Sequence, residues 1–95
     1  MSPKRTDANQ AEIIAALRQV ACVVQDLHLV GHGCPDLLVS RQGHIWLIEC
    51  KGIDPRLTPD ERKWHASWAG PVYIARTVED ALRIVGALDG EAEGE

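Results

Sequence analysis

The chain has no phenylalanine, one tyrosine, one methionine and three tryptophans in 95 residues, so aromatic rings cannot carry its interior. The core must be aliphatic. A membrane span needs roughly eighteen consecutive apolar residues and nothing here approaches that. The polar start Met1-Ser2-Pro3-Lys4-Arg5 also lacks the apolar stretch of a secretory signal, which predicts a cytoplasmic protein with no membrane partner. Cys22, Cys34 and Cys50 are odd in number and contain no Cys-x-x-Cys pair, which fits reduced thiols rather than a disulfide framework. There is no internal repeat and no long linker. A chain this short makes one small domain, marginal alone, for which a homodimer is a natural expectation.

Excess positive charge is also lacking: 10 Lys and Arg face 14 Asp and Glu, a net −4 that at first argues against nucleic acid. Yet Asp89, Glu91, Glu93 and Glu95 fall in a terminal stretch too polar to pack, and without them the remainder is neutral. The expected organisation is an N-terminal arm over 1–6, a folded domain over 7–88 and a disordered acidic tail over 89–95.

Asp7 is a candidate helix cap with Gln10 as its reciprocal partner, and Ile13, Ala16, Leu17 and Val20 follow at helical spacing. From Ala21 to Leu27 the texture becomes β-branched and ends in the loop Gly31-His32-Gly33-Cys34-Pro35. Asp36–Ser40 and His44–Cys50 read as two further strands around a turn at Arg41-Gln42-Gly43. Thr58-Pro59-Asp60-Glu61 combines an N-cap threonine, a first-position proline and a capping-box glutamate, for a helix running to about Ala69 before Gly70-Pro71. A strand over Val72–Arg76 and a last helix capped by Thr77 and Asp80, carrying Ala81, Leu82, Ile84, Val85 and Leu88, complete an α-β-β-β-α-β-α order. The second and third strands are apolar on both alternating faces, so helices are expected on both sides of the sheet.

An even-length hairpin loop, with four residues preferred because Gln42 suits a two-residue turn poorly, sets Ser40 opposite Ile45, Leu38 opposite Leu47 and Asp36 opposite Glu49. Two facing carboxylates repel unless something neutralises them, and a cation would. Lys51 projects from the same face, two residues beyond Glu49. The same three residues also read as strand-end charges with Lys51 as a surface partner. His28, His32, Cys34 and Cys50 offer a rival zinc set, but His-x-x-x-His-x-Cys is unlike the usual ligand spacing. Asp26 suits a turn. Trp64 and Trp68, four apart on one helix, suit a packing face or, if exposed, a dimer or DNA surface.

Pro35-Asp36-Leu37, then Glu49-Cys50-Lys51-Gly52, then Leu57-Thr58-Pro59 ahead of Trp64-His65, in this element order, resembles the PD-(D/E)xK nuclease superfamily. The closer likeness is to small virus-type replication-repair nucleases and to phage or bacterial Holliday-junction-resolvase-like nucleases, over about residues 7 to 88. The resemblance implies a restriction-endonuclease-like α-β-β-β-α-β core with a C-terminal helix and a mixed central sheet flanked by helices. It implies a metal-dependent DNA endonuclease, acting on branched or duplex DNA as a homodimer in a bacterial or phage-infected cell. Mg²⁺, with Mn²⁺ as substitute, would be the only cofactor, held by Asp36, Glu49 and the backbone carbonyl of Cys50, with Lys51 beside the attacking water. Glu12, at the border of the first helix's apolar face about 40° from Ala16, would bind or orient the metal water. Gly31, His32 and Gly33 would approach phosphate. Glu61 stands where many relatives carry a glutamine that contacts the site, and capping alone accounts for it. The competing class is a non-catalytic nucleic-acid-binding or assembly module that keeps the fold without turnover.

Overall fold

A computed structural model of the protein describes the backbone of residues 3–88 and the side chains from Asn9 to Leu88. Its elements are α1 (Pro3–Gln19), β1 (Val23–Asp26), β2 (Leu37–Arg41), β3 (His44–Cys50), α2 (Pro59–Ser67), β4 (Tyr73–Ala75) and α3 (Val78–Ile84). The fold is a small α/β domain in the expected element order. The acidic tail, 89–95, lies outside the described residues. Among those described, no helix is long and apolar enough to cross a membrane.

Two helix starts differ from the sequence reading. α1 begins at Pro3, so Asp7 lies within the helix rather than at its cap and the expected arm is largely helical. Gln10, freed from that cap, is buried and donates from Nε2 to Asp26 Oδ1 at 3.3 Å. α3 keeps Thr77 as N-cap, its hydroxyl accepting from Asp80 N at 3.0 Å, but the box is not reciprocal: Asp80 Oδ2 accepts from Arg76 N at 2.8 Å. The full box forms at α2, where Thr58 Oγ1 accepts from Glu61 N and Glu61 Oε1 accepts from Thr58 N.

The sheet runs β1-β2-β3-β4, antiparallel through β3 and parallel between β3 and β4. Leu38 pairs with Leu47 and Ser40 with Ile45, the register that parity requires. The loop, however, is two residues long: Arg41 faces His44, and Gln42 and Gly43 both take positive φ, 51° and 87°. That is the backbone of a type I′ turn, with glutamine in a place that Asn or Gly more often fills.

Alternation along these strands divides the sheet into two unlike faces. One presents Val24, Leu37, Val39, Ile48, Cys50 and Ala75, all buried beneath Ile13 and Leu17 of α1 and beneath Ala81 of α3 with Val85 just past its end. Arg41 fastens this layer, donating to the carbonyls of Val20 at 3.0 Å and Val85 at 3.1 Å, where α1 and α3 end. The second face is covered only in part, α2 lying over its charged end. α2 buries none of its residues, and Leu38, Ile45 and Leu47 together with Trp64 and Trp68 line an open apolar groove of about 620 Å³.

Candidate active site

The charged end of that second face is where β2 and β3 part. Continuing their register past Leu37 brings Asp36 opposite Glu49 and Pro35 opposite Cys50. A proline has no N–H, so the ladder cannot continue through it. The Cys50 N–H donates instead to Asp36 Oδ2 at 2.8 Å, which fixes that carboxylate across the strand end, and Pro35 has no donor to offer the Cys50 carbonyl. The Cys50 thiol points the other way, into the aliphatic core.

Glu49 is only 2% exposed, and its Oε1 is buried without a hydrogen-bond partner. Burial is the main cause that pushes its carboxyl up to about 9, reinforced by the negative charges of Asp36 and Glu61, which lie close enough to share a proton with it. Asp36 is raised as well, again chiefly by burial, with the Cys50 N–H opposing the rise. Two carboxyl groups forced together therefore keep a proton on Glu49 at neutral pH that a cation could replace.

Lys51 leaves the same face, and its Nζ contacts Glu61 Oε1 at 2.7 Å, with both side chains largely buried. Glu61 thus does more than cap: one oxygen receives the Thr58 N–H and the Lys51 ammonium together. Burial works to raise the Glu61 carboxyl, but Lys51 and the Thr58 N–H outweigh it and hold it lowered. One turn along α2, His65 brings Nε2 to 3.9 Å from Glu49 Oε1, and that nitrogen is also buried and unpartnered. Asn9 of α1 donates to the Lys51 carbonyl at 3.0 Å and anchors the strand as it leaves the sheet.

Of the residues read from the sequence, Asp36, Glu49, Lys51 and the Cys50 main chain come together. Glu12 does not: α1 turns Gln10, Ile13 and Leu17 toward the sheet, and Glu12 is exposed, with no hydrogen bond or ion pair to the site. Gly31, His32 and Gly33 form a left-handed run with φ of 75°, 55° and 84° in the loop whose neck is closed by Leu27 N donating to Asp36 O at 2.7 Å. Gly33 has a packing role, because a Cβ there would collide with the Asp60 carbonyl in the first turn of α2. His32 is exposed beside it. Asp26 makes the turn expected of it, Oδ1 accepting from His28 N at 2.9 Å. The zinc set does not assemble, and among the described residues no three His, Cys, Asp or Glu side chains are grouped as ligands of an ion.

Sequence reasoning missed Asn9, Gln10, Arg41 and His65 as positioning groups. Only His65 left a usable signal, its i, i+4 spacing from Glu61.

The donors that remain are two carboxylates and a main-chain carbonyl, one carboxylate oxygen being buried and unsatisfied. Mg²⁺ takes one or two carboxylates and completes its octahedron with waters and substrate oxygens, so this donor set fits such an ion. No protein-family model, curated protein or solved structure matches the chain.

Proposed function

We propose that the protein is a metal-dependent nuclease of the PD-(D/E)xK type, hydrolysing phosphodiester bonds in DNA, with branched or four-way DNA as a substrate and a homodimer as the acting form. The observation that carries this reading is the buried, unsatisfied Glu49 carboxyl set against Asp36 at a strand end, with Lys51 on the same face. Without an ion the two carboxyls stay together only by keeping a proton on Glu49, which a divalent cation could displace.

Asp36, Glu49 and the Cys50 carbonyl would hold the ion. When bound, Mg²⁺ or Mn²⁺ acidifies its water and withdraws charge from the phosphoryl oxygens. Asp36 is already oriented by the Cys50 N–H, so little motion is needed before it can act as a ligand. Glu49 must give up its proton on loading, which makes affinity rise with pH. Lys51 has three N–H donors and spends one on Glu61. The other two can orient the attacking water and balance the negative charge that develops on the phosphate. Because the chain outside its tail is neutral, its grip on DNA is weak, salt-sensitive and dependent on the metal.

The test is incubation with linear, nicked and four-way DNA, with and without Mg²⁺ or Mn²⁺, alongside Asp36→Asn. Cleavage that needs metal and is lost in the variant supports the nuclease. A folded, metal-supplied protein that binds DNA without cutting it is the non-catalytic module instead.

A further inference from the structure

Glu49 Oε1 and His65 Nε2 are both buried, both without a hydrogen-bond partner, and 3.9 Å apart. That is too long for a hydrogen bond and too short to be indifferent. Two donors that share one ion at about 2.1 Å each stand between roughly 3.0 and 4.2 Å apart, depending on the angle between them. The observed separation falls inside that range.

The helix that carries the ring is fixed beside the carboxylates. α2 carries Glu61 and His65 one turn apart on the side that meets the carboxylates, and its capping box fixes where that helix starts. Trp64 stands edge-on to the imidazole, with ring centres 6.3 Å apart and planes at 77°. The imidazole is 17% exposed but its Nε2 is buried, so the ring must shift to admit an ion.

Before loading, the side chains of Asp36, Glu49 and His65 are not gathered around one point. We propose that His65 closes on the ion held by Glu49 and contributes a nitrogen ligand, which makes the centre a mixed nitrogen–oxygen site that favours a transition-metal ion over Mg²⁺. This rests on the metal-centre reading above and specifies it. Magnesium gains little from an imidazole, whereas Mn²⁺ and the later divalent ions gain more, so the nitrogen changes which ion wins rather than whether one binds.

The experiment uses the full chain with Mn²⁺ and with Mg²⁺. Pulsed EPR of the Mn²⁺-loaded protein should show coupling to a ¹⁴N nucleus, and His65→Gln should remove it. Calorimetry should show Mn²⁺ affinity falling about tenfold in His65→Gln, with Mg²⁺ affinity changing by less than about twofold. Absence of the ¹⁴N coupling from the wild-type protein overturns the proposal without reliance on any variant, and so does an equal loss for both ions. That last pattern would mark an ordinary imidazolium–carboxylate pair. Should neither ion bind, or binding survive Glu49→Gln, the metal-centre reading itself fails. If Glu49→Gln abolishes binding while His65→Gln spares the Mn²⁺ preference, only the role of His65 fails.

Discussion

The two faces of the β2–β3 hairpin share a backbone and differ by one residue of phase, yet they do opposite work. Toward α1 and α3, Leu37, Val39, Ile48 and Cys50 are buried among aliphatic neighbours. Toward α2, Leu38 is 38% exposed and Ile45 71% exposed, while the best-buried side chain there is a carboxyl, Glu49. The first face stabilises the domain. The second is left open at one end and polar at the other, the pattern expected where chemistry is obtained at some cost in stability.

The largest expected effect breaks the second face alone: Asp36→Asn should lower metal-dependent cleavage by a hundredfold or more, since several kcal/mol of transition-state stabilisation pass through the ligand set. Thermal unfolding without metal should change little. On the first face, Ile48→Ala should cost about 2–5 kcal/mol by denaturant unfolding, which is most of the stability of so small a domain. Leu38→Ala, one strand away but on the open face, should cost less than about 1 kcal/mol because little burial is lost.

The next effect is on pH. In the folded, metal-free protein Glu49 keeps its proton up to about 9, whereas in the unfolded chain it releases it near its ordinary value of 4.5. Between those values the folded state binds more protons, so its stability is full below the lower one and declines as pH rises toward the upper one. In EDTA the melting temperature should therefore fall with rising pH across this window, and Glu49→Gln should flatten the slope and raise the melting temperature at alkaline pH. Gly33→Ala should cost more than Leu38→Ala, above about 1 kcal/mol, through its left-handed backbone and the collision with Asp60. Because it displaces the start of α2, it should impair cleavage at temperatures where the protein is still folded.

Much of this division was legible in the residues. Parity alone placed Asp36 opposite Glu49, because any even loop preserves the pairing, even though the turn proved to be Gln42-Gly43 rather than a four-residue loop. The α2 start was legible because Thr58, Pro59 and Glu61 each act locally. Glu12 was misplaced because it sits at the edge of the apolar stripe, where a modest rotation of the helix decides between sheet and solvent; Gln10, Ile13 and Leu17 define the stripe that packs. The open second face was not legible, since alternating apolar residues state that a surface can be covered and not what covers it. His65 was half legible: its spacing from Glu61 put both on one side of α2, but its neighbour Glu49 lies on another element and only the fold brings them together.

The most direct test of the central claim, that one hairpin face folds the domain and the other holds an ion, is calorimetric titration of Mn²⁺ at neutral pH in buffers of different ionisation enthalpy. The expected result is saturable binding with release of about one proton per ion, lost in a Glu49→Gln variant that still unfolds cooperatively. Absence of binding, or binding that survives the substitution with no proton released, would contradict it.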